Sequence, residues 1–298
     1  MATEHPLGER SPSVPYPDIA DTSHATPSLV NFFRGYFTAK SAHDAPGLAS
    51  YFDPTNATYA DAVLGSAFSQ PDMAATFAYV ASTWGPDSKS YPLRIIGDMN
   101  GAVIMFRNTP DMFGAELLSI AAVDFKGGKI VRQVDYWDGR RNPVADSRVP
   151  DDQYPADFGE KKFRVCPNRV LQSVVDQLHA ALSAGNGSGA VALFTADAVL
   201  EERTARSRIE GQLAIERYLE RALASLPYGS GSTVRHVVGS GQGGGYEWVG
   251  KSGAAARNGL TALELDQRGK ITRLTTAWDA SRADDANIKA LTELAIEE

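Results

Sequence analysis

Cysteine is nearly missing: Cys166 is the single one in 298 residues, which excludes an internal disulfide framework. It stands in a proline-rich stretch with no matched histidine nearby, so it reads as an incidental thiol and not a nucleophile. Histidine is also scarce: His5, His24, His43, His179 and His236 are scattered, without the HExxH or CxxC spacing of a metal site. Basic residues do not predominate, and a net charge of −7 with no basic stripe gives no electrostatic footprint for nucleic acid. No run approaches the ~20 apolar residues that a membrane-spanning helix needs. The opening MATEHPLGERSPSVPYPD carries charges and prolines where a leader peptide has an apolar core, so a cytoplasmic protein is expected. The glycine cluster at residues 239–248, GSGQGGGYEW, lacks GxxxxGK[ST] and any GxGxxG between strand and helix, and reads as a hairpin.

What the chain does have is a repeat. GGKIVRQVDYWDGRR around Lys129 returns as RGKITRLTTAWDASR around Lys270, with Ile130, Arg132 and Trp137-Asp138 recurring as Ile271, Arg273 and Trp278-Asp279. The spacing is 141 (271 − 130, 278 − 137), near half the length, which marks a doubled domain and not a solenoid, whose repeats run ~20–50 residues. A length of 298 accommodates roughly two ordinary domains. Residues 1–26, rich in Pro, Ser and Asp, read as an extended arm. Copy one spans 27–141, an exposed connector 142–166, copy two 167–284, and a short helix 285–298.

Each copy reads helix-helix-strand-helix and then four strands. SLVNFFRGYFTAKSA places Leu29, Phe32, Phe33, Tyr36 and Phe37 at helical spacing. A second short helix, the strand NATYADAV and a third helix near residues 73–82 follow. Hairpins turn at Asn100-Gly101 and Gly127-Gly128. Copy two repeats the order, with a third helix over 213–223. This is an α+β layout, helices on one face of a mostly antiparallel curved sheet. In VRQVDYWD the two-residue strand period puts Val131, Gln133, Asp135 and Trp137 on one face. Enclosure of that face requires the Asp135 carboxylate to be paired or protonated.

With these elements and motifs (TAKSAHD or ALSAGN, NATYAD or DAVLEE, GKI-x-R-xxxx-WD) both copies resemble the nuclear transport factor 2-like superfamily. That superfamily includes ketosteroid isomerases, limonene epoxide hydrolases and SnoaL-like polyketide cyclases. The resemblance implies two cones, each enclosing an apolar pocket, paired within one chain as domains of relatives pair between chains. A monomer is therefore expected, with no cofactor and no metal. Asp61 matches the isomerases' catalytic aspartate and Tyr36 their hydrogen-bonding tyrosine. Arg107 and Asp135 match the arginine and a carboxylate of the epoxide hydrolases. Tyr59, Phe77, Tyr79 and Trp137 are expected to line the pocket, with Glu202 and Trp248 in copy two. Aligned by eye, Tyr36 becomes Leu178, Arg107 becomes Trp248, Asp135 becomes Thr276, and Asp61 keeps its carboxylate as Glu202. Copy one is thus the expected active half. The expected function is acid–base catalysis on a hydrophobic polyketide- or terpene-like molecule: cyclisation, isomerisation or epoxide opening. The rival is a protein that only binds such a molecule. No nucleic-acid or membrane partner is expected.

Overall fold

A computed structural model describes residues 18–140, 142–163, 167–254 and 256–296; His5 and Cys166 lie outside them. Copy one begins with β1 (Asp21–Ala25) and α1 (Pro27–Ser41), whose Pro27 sits in the first turn, where its missing N–H costs nothing. Leu29, Val30, Phe33, Tyr36, Phe37 and Lys40 form the helix's buried face. His43 then takes a left-handed φ of 59°, and Asp44 caps α2 (Ala45–Ala49) by accepting from the Gly47 N–H. Strands β2 (Thr58–Asp61) and β3 (Ser66–Ser69) precede α3 (Met73–Ser82). The antiparallel meander β4 (Ser90–Asp98), β5 (Gly101–Asn108), β6 (Leu117–Lys126) and β7 (Lys129–Trp137) completes the half, with a one-turn helix α4 (Pro110–Phe113) after β5. The β6–β7 turn has Gly127 and Gly128 at φ 58° and 77°, the positive pair that a two-residue hairpin of this twist demands.

The sheet order is β1-β4-β5-β6-β7-β2-β3. Two contacts are parallel, β1 with β4 and β2 with β7, and the second sets Asp61 beside Asp135. The expected extended arm therefore ends as an edge strand, because residues 21–25 find the free edge of β4.

Copy two repeats the plan with α5 (Arg169–Ser183), α6 (Gly187–Val191), β8 (Phe194–Glu202), β9 (Ser207–Glu210), α7 (Gln212–Ala222), β10 (Thr233–Ser240), β11 (Gly243–Val249), β12 (Asn258–Leu265), β13 (Ile271–Trp278) and α8 (Asp285–Glu293). Its sheet runs β10-β11-β12-β13-β8-β9. Strand pairing fixes which residues correspond. Gly101 and Gly243 open equivalent strands (243 − 101 = 142), Asp124 and Glu264 pair across from them (264 − 124 = 140), and Arg132 and Arg273 follow (273 − 132 = 141). Arg107 accordingly corresponds to Val249, and Trp248 to Phe106 (both 142), a correction to the alignment by eye.

The chain is α+β, with the two sheets back to back and the helices on the outer faces, so each half is a cone closed by its own helices. Val103, Ile120, Val134 and Tyr136 meet Val238, Leu260, Ala262 and Ala277 in the seam. A Cβ on Gly101 would come within 2.8 Å of the Gly239 nitrogen, so glycine is what allows this approach. Buried in the seam, Arg132 holds Asp124 at 3.2 Å and Glu247 at 2.7 Å and donates to the Phe158 carbonyl; His236 reaches Asp124 at 2.9 Å. The repeated Trp-Asp motif clasps the halves reciprocally. Asp279 accepts from the Gly139 N–H at 3.0 Å, and Asp138 accepts from the Ala280 N–H at 3.4 Å. The connector is not simply exposed: Phe158 is buried in the seam. Among the described residues no helix is long and apolar enough to cross a membrane.

Candidate active site

Strand β7 does what its alternation predicts, turning Gln133, Asp135 and Trp137 toward the helices of the first cone. The parallel neighbour β2 lays Tyr59 opposite Gln133. The Tyr59 hydroxyl donates to one Asp135 oxygen at 2.5 Å, and the Gln133 amide donates to the other at 2.9 Å. From α1, the Tyr36 hydroxyl donates to the Gln133 carbonyl oxygen at 3.2 Å. One helical turn on, Lys40 shares this face, 7% exposed, its ammonium 4.5 Å from the centre of the Phe106 ring. Around these groups pack Phe33, Phe37, Phe52 and Phe77.

Burial dominates the electrostatics of this array. It raises the Asp135 carboxyl above the usual carboxylate range, against the opposing pull of Lys40, Tyr59 and Gln133. Burial also brings Lys40 down to about 8, with Asp135 acting to hold its proton on. The Tyr36 and Tyr59 phenols are pushed up by burial and by the Asp135 charge, so both stay protonated donors. The cone therefore contains an acid held above its usual range and an amine brought down to about 8, flanked by two protonated hydroxyls. Such opposed shifts within one enclosure are the electrostatic mark of acid–base sites.

Asp61 plays another part. One of its oxygens accepts from the Val63 and Leu64 N–H groups at 2.9 Å each, the other from the Trp137 indole at 2.8 Å. Burial outweighs these bonds and pushes its carboxyl up to about 7. Copy two repeats the device: Glu202 accepts from the Trp278 indole at 3.0 Å, with the Thr204 and Ala205 backbone as further donors, and burial takes it up to about 8. Every member stands 141 positions on (202 − 61, 278 − 137, 204 − 63, 205 − 64). A carboxylate that staples the same turn in both halves is part of the shared frame.

The other sequence-derived residues divide. Phe77 packs against Tyr59, Phe52 and Phe68 in the cone, with ring centres 5.4–5.8 Å apart. Trp137 holds Asp61, and Trp248 is buried in the second cone, donating to Thr261 at 3.2 Å. Arg107 does not join Asp135. It lies on the face of β5 opposite to Phe106, over the Tyr91 ring and 3.6 Å from Glu116, with its side chain 43% exposed. Tyr79 is 74% exposed on α3 and lines nothing inside. Lys40 and Gln133 were missed, although both had a signal. Lys40 follows Phe33, Tyr36 and Phe37 at helical spacing, and Gln133 shares the strand face of Asp135.

Among the described residues, aromatic rings fill the cone where an open chamber is expected. Val144 and Ala145, just past the last strand, close it against Val63, Leu117 and Trp137. In copy two, Ile288 and Leu291 of α8 hold the equivalent place. Outside the first cone, a cavity of about 970 Å³ runs between the two closing segments, past Arg140, Pro143, Arg206 and Asp285. Among the described residues no three His, Cys, Asp or Glu side chains group to hold a metal ion.

No family model and no curated protein matches the chain. Solved structures match about two fifths of it at a time. A steroid delta-isomerase from Pseudomonas aeruginosa is 16% identical over 43% of this chain and 90% of its own, with a TM-score of 0.34. An NTF-2 like protein of unknown function from Burkholderia xenovorans is 20% identical over 37% and 83%, with a TM-score of 0.30. A de novo designed protein with a curved β-sheet is 16% identical over 43% and 99%, with a TM-score of 0.36. At these values each is a similarity of shape and assigns no activity.

Proposed function

We propose that the first cone is an acid–base site for a hydrophobic, oxygen-bearing small molecule, with Asp135 and not Asp61 as its centre. The observation that carries this is internal to the chain. Tyr36, Lys40, Tyr59, Gln133 and Asp135 correspond to Leu178, Leu182, Leu200, Leu274 and Thr276 in copy two, which builds the same cone without them. The fold thus has no need of this array, and burying an acid with an amine costs several kcal/mol of desolvation per ion. Chemistry is the reason such a set is kept.

In the proposed reaction Asp135 takes a proton from a carbon next to a carbonyl, and the Lys40 ammonium stabilises the oxygen that gains charge. Returning the proton to another carbon completes an isomerisation; attack by an internal hydroxyl or by water on an epoxide carbon, with Asp135 taking the nucleophile's proton and Lys40 giving one to the ring oxygen as its C–O bond breaks, gives cyclisation or epoxide opening. Tyr59, Gln133 and Tyr36 hold the carboxylate and set its reach. Substrate enters by displacing Val144 and Ala145 at the mouth.

The test is turnover on a panel of cyclic enones and epoxides of polyketide and terpene type. Asp135→Asn should lower kcat by roughly 10²–10⁴-fold with folding intact, while Glu202→Gln leaves it unchanged. Full turnover in Asp135→Asn sinks the assignment. The filled interior favours a second reading, a scaffold pair whose cones take no ligand, which predicts that no panel member is bound or converted.

A further inference from the structure

A groove of about 350 Å³ opens where the turn after β8 meets the first sheet. Leu93 and Met105 give it an apolar floor, and Arg94, Arg203, Arg206 and Arg208 stand around it with the carboxylates Glu201 and Glu202. Two of these guanidiniums are committed: Arg94 to Asp21, Glu201 and Glu264, and Arg208 to Glu201 and Glu210. Arg203 and Arg206 have no side-chain hydrogen bond or ion pair among the described residues. Arg203 is half-buried, and burial together with the like charge of Arg94 disfavours its proton, with Glu201 opposing.

Copy one makes the same turn from small residues. Arg203, Arg206 and Arg208 correspond to Ala62, Gly65 and Ala67 (203 − 62, 206 − 65 and 208 − 67 are each 141). Gly65 has φ 69° and Arg206 φ 55°, the same left-handed backbone. Glycine adopts it freely, and arginine adopts it under strain. Copy two therefore bears backbone strain and crowded cations that its turn does not require, and non-glycine strain of this kind gathers at ligand sites.

The pseudo-two-fold mate of the groove is occupied by the chain itself, with cations, Arg235 and Arg132, that correspond to Leu93 and Arg273 and not to Arg203 or Arg206. There the connector lies over Ala62 and Gly65. Tyr154 donates to the Ala62 carbonyl at 2.5 Å, and Phe158 packs with Ala60 and Ala62 under the Arg235 guanidinium, 4.6 Å from its ring centre. Two residues on, the Glu160 carboxylate takes Arg235 at 2.5 Å and lies 3.6 Å from Arg132. An aromatic body and a carboxylate thus occupy one groove of the pair.

We infer that the groove at Arg203 is a binding site for a small carboxylate with an aromatic or aliphatic body. The body rests on Leu93 and Met105, Arg203 receives the carboxylate, and Arg206 closes over it. This site is separate from the first cone and independent of its chemistry.

Calorimetric titration of the full chain with 3-phenylpropionate, 3-phenylpropanol and phenyl phosphate tests it. The carboxylate should bind at least tenfold tighter than the alcohol. Arg203→Ala and Arg206→Gly, which install copy one's residues, should each weaken it several-fold or more, with melting and circular dichroism unchanged. If Arg203→Ala fails to fold, Arg206→Gly carries the test alone. Equal binding of the alcohol, tighter binding of the phosphate, unchanged affinity in the folded variants, or no binding at millimolar concentration would each overturn the inference.

Discussion

The two cones share a frame and differ in their contents. Both staple the turn after the first inner strand with a carboxylate under an indole, Asp61 with Trp137 and Glu202 with Trp278, and both are closed by the segment after the last strand. Inside, copy one sets an acid and an amine among tyrosines. Copy two has four leucines and Thr276 at those places and moves its polar groups to Tyr218, Tyr228 and Tyr246, whose phenols burial keeps protonated. The frame belongs to folding, and whatever departs from it in one copy alone asks for a functional cause.

The largest effect should come where the copies differ in the burial of a shared residue. Arg132 is fully buried between Asp124 and Glu247, whereas Arg273 is partly exposed on Glu201 and Glu264. Arg132→Met strands two buried acids and should cost about 3–5 kcal/mol in urea unfolding. Arg273→Met should cost about 1 kcal/mol or less. Equal losses would mean that the seam is not the buried charge cluster described above.

A middle-sized effect sharpens the contrast between the interiors. Lys40→Leu combined with Asp135→Asn removes both ionisable groups of the array and keeps an acceptor for the Tyr59 hydroxyl. The double variant should be between neutral and about 3 kcal/mol more stable, since replacing buried ionic groups by neutral side chains is commonly neutral or favourable. A loss beyond about 1 kcal/mol, a typical single-mutation cost, would make the array structural and remove the main support for catalysis.

The smallest effect is read against pH. Asp61 has a folded pKa raised from 3.8 to about 7, so between these values the folded state binds more protons than the unfolded one. Stability from this group is therefore full below its unfolded pKa and falls as pH rises toward 7. Asp61→Asn should match the parent in melting temperature near pH 4 and gain on it up to about pH 7, then run parallel. A difference that stays flat over this window would mean that the carboxyl is not held neutral by its surroundings.

Much of the frame was legible because it follows from periodicity. The buried face of α1, the paired glycines of the β6–β7 turn and the shared face of Asp135 and Trp137 are local patterns. Correspondence between the copies was legible only to within a residue. Strand pairing shifts it to 142 in β5 and 140 in β6, which is how Arg107 came to be matched to Trp248. Arg107 was drawn toward Asp135 by resemblance alone, and one step along a strand turns a side chain to the other face. Lys40 went unread because a lysine in a helix is ordinarily solvent-facing. The parallel pairing of β1 with β4 and the seating of Phe158 in the seam are long-range events with no local signature.

The reciprocal grip of Asp138 and Asp279 on each other's half has a further consequence. Because each partner closes the other's strand end, and the connector itself packs into the seam through Phe158 and Glu160, the covalent link between the halves is a tether added to contacts they already make. Cutting that tether should leave a two-piece particle that holds together down to low dilution, and its grip should loosen when either aspartate is neutralised.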